Sequence, residues 1–229
     1  MDFSLKDSYV VVNYHYVRDP SEKQQGINSC SVEEFDRQVK FLSGNFKIVS
    51  IPEVFGAAKN KLSGRFCSLT FDDCLKDVYV NAAPILKKYN SSATLFPITS
   101  VFKGRLPSVH KIHILLSEFS AEYLIDLFNG YLDKHYLDLG DKYKIPKDKR
   151  VMEHLRLDDD LLTANFKETL TIAPSGLKEN FVDFCFKKVG LAEKRIRSQL
   201  FMNESEVKSC AIIGWMSEVI PITTAIFPI

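Results

Sequence analysis

The stretch CSLTFDDCLKDVY, residues 67–79, decides the fold and raises the question of function. Together with Phe66, its first half is an apolar run typical of a buried strand. The run ends in two adjacent aspartates, Asp72 and Asp73. Like charges repel, and burying either carboxylate alone costs free energy. A divalent cation is the usual compensation, so the stretch predicts a cation site at the end of a strand.

Outward from this stretch, the first hundred residues alternate between strand and helix patterns. Segments rich in β-branched and aromatic residues predict strands at 9–17, 46–50, 66–71 and 92–100. Between them, helices are predicted from a capping box at Ser31 to a stop at Gly44, from Pro52, and from Asp77 to Tyr89 with a kink at Pro84. This order predicts a parallel α/β sheet or barrel, whose functional side chains gather at the carboxyl ends of the strands. His15 and the two aspartates fall at such ends, so we expect them to share a site.

The bulk composition excludes several classes of protein. A net charge of +1 gives no basic surface for nucleic acid, so no nucleic-acid partner is expected. The five cysteines are an odd number without paired spacing, which favours a reducing compartment over a disulfide framework. The first residues show neither a signal peptide nor a membrane span, so a cytoplasmic location is expected.

Residues 105–200 have helical spacing with little strand signal and are interpreted as a helical insertion.

The segments VVNYHYV, FDRQVKFLSGNFKIVSIPE and SLTFDDCLKDVYVNAAPILKKYNSSATLFPITS, in this order, resemble the NodB-type polysaccharide deacetylases over residues 9–101. The resemblance implies a distorted (β/α) barrel that removes acetyl groups from N-acetylated sugars, usually with a divalent metal. It also implies a division into the first half of the barrel at 1–104, the helical insertion at 105–200, and a truncated return to the barrel at 201–229. The expected fold is therefore α/β, a partial barrel with a mostly helical insertion.

The family's strand-end motif T-F-D-D-G matches Thr70 to Asp73, with Cys74 where glycine is usual. The resemblance implies that Asp72 is the general base and Asp73 a metal ligand, with zinc as the expected ion. A bound zinc ion lowers the pKa of its water, and a neighbouring carboxylate can take the proton. Cys74 departs from the motif, because glycine permits a positive φ that cysteine tolerates less well. A soft metal ligand is the alternative role for Cys74.

The family completes its metal site with H-[S/T]-x-x-H, and none of the five histidines forms that motif. His110 and His113 are spaced i, i+3, so both lie on one helix face as alternative metal ligands. The competing interpretation is that they pack at the start of the first inserted helix. His15 is a candidate for the lining of the pocket, although a structural role is equally compatible with its sequence context.

The C-terminal segment suggests why the histidines are missing. FMNESEVKSC, residues 201–210, resembles the helix that precedes the histidine motif, with a capping box at Asn203 and Glu206. Read two nucleotides out of frame, codons for GWMSEVIPITTAI permit Met-Asp-Val-Gly-Ser-His-Thr-Tyr-Asn-His, which contains the motif. We therefore expect a frameshift near residues 209–214 that ended the chain early. The alternative is a divergent C-terminal strand, IPITTAIFPI.

Three functional hypotheses follow from the sequence. The first is metal-dependent hydrolysis of N-acetyl groups on sugars of a cell-surface glycan or its precursor, with this chain inactive through truncation. The second is a non-catalytic pseudoenzyme or interaction module. The third is a different α/β metal hydrolase that uses Asp72, Asp73, His110 and His113.

Overall fold

The fold is built on a parallel β-sheet. The computed structural model describes residues 6–20, 27–152, 158–212 and 216–219. Its strands are β1 (Ser8–Tyr14), β2 (Lys47–Ile48), β3 (Arg65–Asp73), β4 (Ala93–Pro97) and β5 (Met216–Val219). They run in the order β1-β3-β4-β5, with β2 also paired to β3. Every described strand pair is parallel, as the alternating sequence predicts.

Strand β3 is the centre of the sheet. Its residues 67–71 are all buried, as expected for a central strand of a parallel sheet with both faces covered. One edge pairs with β1 from Arg65 to Phe71. The other edge pairs first with β2 at Phe66 and then with β4 from Thr70 to Asp73. The aspartates thus lie where β1 and β4 flank the end of β3.

The helices that follow β1 and β2 are α1 (Val32–Asn45) and α2 (Ile51–Lys59). The Ser31 side chain accepts the Glu34 N–H at 3.1 Å, which confirms the predicted N-cap of α1. Its predicted apolar stripe is buried, and the Phe35 ring lies 4.9 Å from that of Tyr14 in β1. Gly44 was expected to stop the helix, but α1 continues to Asn45 and ends when the Phe46 N–H bonds the Leu42 carbonyl.

The predicted break near Pro84 is confirmed. A π-helical turn at Val78–Ala82, closed by a bond from the Ala83 N–H to the Val78 carbonyl, runs directly into α3 (Ala83–Lys88), so the helix is irregular just before Pro84. The strand predicted at 92–100 is shorter than expected. β4 ends at Pro97, which has no N–H for a sheet, and a short helix α4 (Thr99–Phe102) follows.

The chain divides into two compact units. Of the described residues, the first comprises 6–20, 28–105, 194–212 and 216–219, and the second comprises 27, 106–152 and 158–193. The second unit is helical, with α5 (Ser108–Glu118), α6 (Ala121–His135), α7 (Gly140–Tyr143), α8 (Leu161–Ile172) and α9 (Ser175–Lys188). Its core contains Phe128, Phe166 and Phe181. These units describe packing and not independent folding, so the division at residues 104/105 and 200/201 stays a prediction about domains.

The chain returns to the sheet through α10 (Glu193–Leu200) and α11 (Glu204–Ile212). Asn203 Oδ1 accepts the Glu206 N–H at 2.9 Å, and Glu206 accepts the Asn203 N–H at 2.8 Å, so the predicted capping box is present. β5 follows and pairs with β4. The alternative strand at 220–229 lies outside the described residues. Among the described helices, none is long and apolar enough to span a bilayer.

Candidate functional site

The candidate site lies at the carboxyl ends of β1 and β3. Asn13 pairs with Thr70 and Tyr14 with Phe71, which brings His15 opposite Asp72. On the other side, Asp72 pairs with Phe96 and Asp73 with Pro97 of β4. His15 and Asp72, which the sequence placed at separate strand ends, therefore come together as parallel pairing requires, and Asp73 follows Asp72 at the same end of β3.

Asp72 is held by a short polar chain. Thr70 Oγ1 donates to Asn13 Oδ1 at 2.8 Å, and Asn13 Nδ2 donates to Asp72 Oδ2 at 3.0 Å. The first bond orients the amide so that its NH₂ faces the carboxylate. His15 Nε2 lies 3.5 Å from the same Asp72 oxygen. The Asp72 side chain remains 30% exposed, so solvent or a ligand can reach it.

Sequence reasoning did not single out Asn13 as part of this site. Its signal is spacing, because Asn13 and His15 are two residues apart and residues i and i+2 lie on the same face of a strand. The pair of polar residues at the end of an otherwise apolar strand marks the face of β1 that adjoins Asp72.

The backbone turns sharply after Asp72. Asp73 has φ 69° and Cys74 has φ 54°, both in the left-handed region that glycine favours. The Cys74 N–H donates to the Asp72 carbonyl at 2.9 Å, and the Cys74 carbonyl accepts the Met202 N–H at 3.0 Å. This geometry explains why a motif of this kind carries glycine at the position that Cys74 occupies here.

The Cys74 side chain is buried beside the aspartates. Burial raises the pKa of its thiol, and neighbouring Cys210, Asp73 and Asp72 raise the pKa further. Cys74 therefore stays protonated at neutral pH. The alternative role of Cys74 as a soft metal ligand stays a prediction.

Asp77 joins the segment after β1 to the helix after β3. Its Oδ2 accepts the Val17 N–H at 3.2 Å and Arg18 Nε at 2.7 Å. Asn81 Nδ2 donates to the Val17 carbonyl at 2.8 Å. These bonds fix the backbone that follows His15. The sequence indicated Asp77 only as the start of a helix, since these partners are about sixty residues away along the chain.

His110 and His113 lie on one face of α5 in the second unit, with ring centroids 6.0 Å apart. His110 is buried, at 1% exposure. The structure places neither histidine in the unit that contains the aspartates.

The donor set at the strand ends does not amount to a complete metal site. Catalytic zinc takes three protein ligands and keeps one position open. Within 6–20, 27–152 and 158–210, no three His, Cys, Asp or Glu side chains gather closely enough to hold a metal ion. The roles of Asp72 as general base and Asp73 as metal ligand, and the place of His15 beside them, stay predictions.

Comparison with known proteins identifies the family. The sequence model of "Polysaccharide deacetylase" matches residues 59–113. The chain is 30% identical over 207 residues to the poly-beta-1,6-N-acetyl-D-glucosamine N-deacetylase of Staphylococcus aureus (strain MRSA252), covering 81% of this chain and 71% of that protein. This chain belongs to the polysaccharide deacetylase family. The protein of the same name from Staphylococcus epidermidis is 31% identical over 156 residues, covering 61% of this chain and 53% of its own length.

Solved deacetylase structures match parts of the chain. A Streptococcus pyogenes deacetylase, PplD, in complex with acetate is 24% identical, covers 54% of this chain and 67% of its own, and gives a TM-score of 0.38. The family match confirms the resemblance to NodB-type deacetylases, and the parallel sheet with its intervening helices confirms the predicted α/β fold class. Such deacetylases generally depend on a metal and act on N-acetylated sugars.

Proposed function

We propose that this polysaccharide deacetylase binds a polymer of N-acetylglucosamine of the poly-β-1,6-linked class at the Asp72 site. We also propose that efficient hydrolysis requires metal ligands beyond those that the described residues supply. The meeting of Asn13, His15 and Asp72 at the ends of β1 and β3 carries the first statement. The relatives' names supply the sugar.

Asp72 has the features of a proton acceptor in amide hydrolysis. Asn13 holds Oδ2, which fixes the carboxylate plane and points Oδ1 away from that bond. A carboxylate in this position takes the proton from a water that attacks the acetyl carbonyl. His15 Nε2 lies beside the same Asp72 oxygen, and we assign His15 to the lining of the sugar site. Asn13 and Thr70 act by positioning the carboxylate.

Asp73 is the residue expected to bind a divalent ion. Its left-handed backbone turns it away from the regular course of β3. One carboxylate is a weak zinc site by itself, because zinc is normally held by at least three protein ligands. We therefore expect weak zinc binding and slow acetate release.

The test compares the full chain with Asp72→Asn and Asp73→Ala on β-1,6-linked N-acetylglucosamine oligosaccharides, with zinc added and with a chelator. We expect the unmodified chain to release acetate only when zinc is present, and both variants to release none. Zinc-independent release, or release unchanged in Asp72→Asn, would contradict the assigned roles. Oligosaccharide binding without acetate release under any condition favours the second candidate, a non-catalytic sugar-binding protein, which the incomplete donor set also supports.

A frameshift before the family's histidine motif is our proposed reason for the incomplete donor set. Sequencing the gene from codon 200 onward tests it. The proposal is supported if a second reading frame encodes His-Thr-x-x-His and stays open beyond it. Early stop codons in that frame would refute it and leave the non-catalytic candidate in front.

A further inference from the structure

Gly130 leaves an open groove in the middle of α6. Glycine in a helix interior costs about 1 kcal/mol relative to alanine, so its presence calls for a reason. A Cβ at Gly130 would have nothing within 4 Å, which means that no neighbour requires the small residue. Instead, a cavity of about 210 Å³ lies over the glycine. Its lining residues are Asp126, Leu127, Gly130, Tyr131, Lys134, His135 and Phe184.

Aromatic rings form one wall of this groove. The Tyr131 ring lies 4.7 Å from His135 and 5.0 Å from Phe184, measured between centroids. Phe181 lies 5.5 Å behind Tyr131 and is fully buried, so it supports the ring from the core. Tyr131 and Phe184 are only half-buried, and His135 is exposed. The rings are thus fixed by packing while part of their surface remains open.

Polar groups stand at the rim. Asp126 forms an ion pair with Lys147 at 2.7 Å, which fixes the carboxylate at the edge of the groove. Lys134 is exposed one turn from Gly130. Burial raises the pKa of Tyr131, so its hydroxyl is a neutral donor and acceptor at physiological pH. The polar lining therefore consists of one aspartate, one lysine, one histidine and one tyrosine hydroxyl, so it offers both donors and acceptors.

A fixed aromatic wall with a balanced polar rim is suited to a sugar. Aromatic faces carry negative charge density and attract polarised C–H groups, which a pyranose ring presents on its faces. The hydroxyl and amide groups at the edge of the sugar need donors and acceptors, which the rim supplies. The volume is below the roughly 300–1,000 Å³ typical of pockets for drug-sized ligands, and so suits one sugar residue.

We infer that the Gly130 groove on the helical unit binds one residue of an N-acetylated glycan, as a second sugar site outside the aspartate pair. The inference takes its ligand class from the proposed function.

The experiment measures binding of a β-1,6-linked N-acetylglucosamine hexamer to the full chain by titration calorimetry. Gly130→Leu fills the groove with a good helix former, and Tyr131→Ala removes the ring. Gly176→Leu is the matched control, since Gly176 also lies in a helix of the second unit with nothing within 4 Å of a Cβ. Urea denaturation verifies that each variant is folded, and maltohexaose tests the need for the N-acetyl group.

We expect Gly130→Leu and Tyr131→Ala to bind the hexamer at least tenfold more weakly. We expect Gly176→Leu to bind it as tightly as the unmodified chain. Unchanged affinity in folded Gly130→Leu would overturn the inference, as would equal binding of maltohexaose. Acetate release from the same samples separates the two proposals. If the chain releases no acetate but its hexamer binding still depends on the groove, the result counts against the proposed hydrolysis alone. If hexamer binding does not depend on the groove but acetate release depends on Asp72, the result counts against the groove alone.

Discussion

Arg18 Nε donates a 2.7 Å hydrogen bond to Asp77 Oδ2, and this bond ties the segment after β1 to the helix after β3. The Asp77 side chain is 6% exposed and that of Arg18 is 22% exposed, so both charges are largely removed from water. The Val17 N–H bonds the same oxygen. Because His15 lies just before this segment, the ion pair also fixes one border of the candidate site.

Replacing Asp77 with alanine is expected to lower the free energy of unfolding by about 2–4 kcal/mol, since it leaves a partly buried guanidinium without its partner. Urea denaturation followed by circular dichroism measures the change. Asp36→Ala is the control, because the ion pair of Asp36 with Lys88 is much more exposed. A loss no larger than that of the control would show that the Arg18–Asp77 bond does not stabilise the fold.

The sequence predicted the elements that depend on local chemistry. The caps at Ser31 and Asn203 formed because each side chain lies beside its own helix start. The position of Asp72 at the end of β3 followed from the apolar run before it. Gly44 and Pro97 show the limit of local signals, since helix and strand ends shift by a few residues with their packing.

The supports of the site could not be read from the sequence. The Asn13–Asp72 and Arg18–Asp77 bonds each join residues 59 positions apart, so they depend on the parallel register and not on any local pattern. The groove at Gly130 has the same origin, because its wall combines α6 with Phe184 of α9. The left-handed turn at Cys74 was indicated only through the glycine of the family motif.

The protein is expected to be more stable with glycine at position 74 than with alanine there, whereas inside a helix alanine is the more stabilising residue. With φ 54°, any residue with a Cβ is strained by about 1–2 kcal/mol, and glycine relieves that strain. Cys74→Gly should therefore unfold at a higher urea concentration than Cys74→Ala. The same pair of substitutions at Cys185, inside α9, should give the opposite order by about 1 kcal/mol. Equal stability of the two position-74 variants would mean that the turn relaxes without cost.

Substituting His113 with alanine is expected to leave zinc affinity within a factor of about two, because the ion is assigned to Asp73 in the other unit. Competition with a fluorescent chelator measures the affinity, and Asp73→Ala is the paired variant that should weaken it. The opposite pattern, with binding lost in His113→Ala and kept in Asp73→Ala, would support the hydrolase hypothesis built on His110 and His113.

Buried thiols should make the protein less stable at alkaline pH. Burial raises the pKa of Cys67 from 9.0 to about 11, and that of Cys185 and Cys210 from 9.0 to about 12. A thiol is neutral below its pKa, so the unfolded chain loses these protons first. The stability that the neutral thiols contribute is fully present below pH 9 and is lost as the pH rises toward the folded values.

These thiols should therefore change the free energy of unfolding little between pH 7 and 8.5 and lower it as the pH rises further to 11. Urea denaturation in the presence of a reductant measures this free energy. Cys185→Ala removes one such thiol, so its decline should be shallower than that of the unmodified chain, whatever its stability at pH 7. Parallel declines in the two proteins would show that Cys185 ionises as readily in the folded state as in the unfolded state.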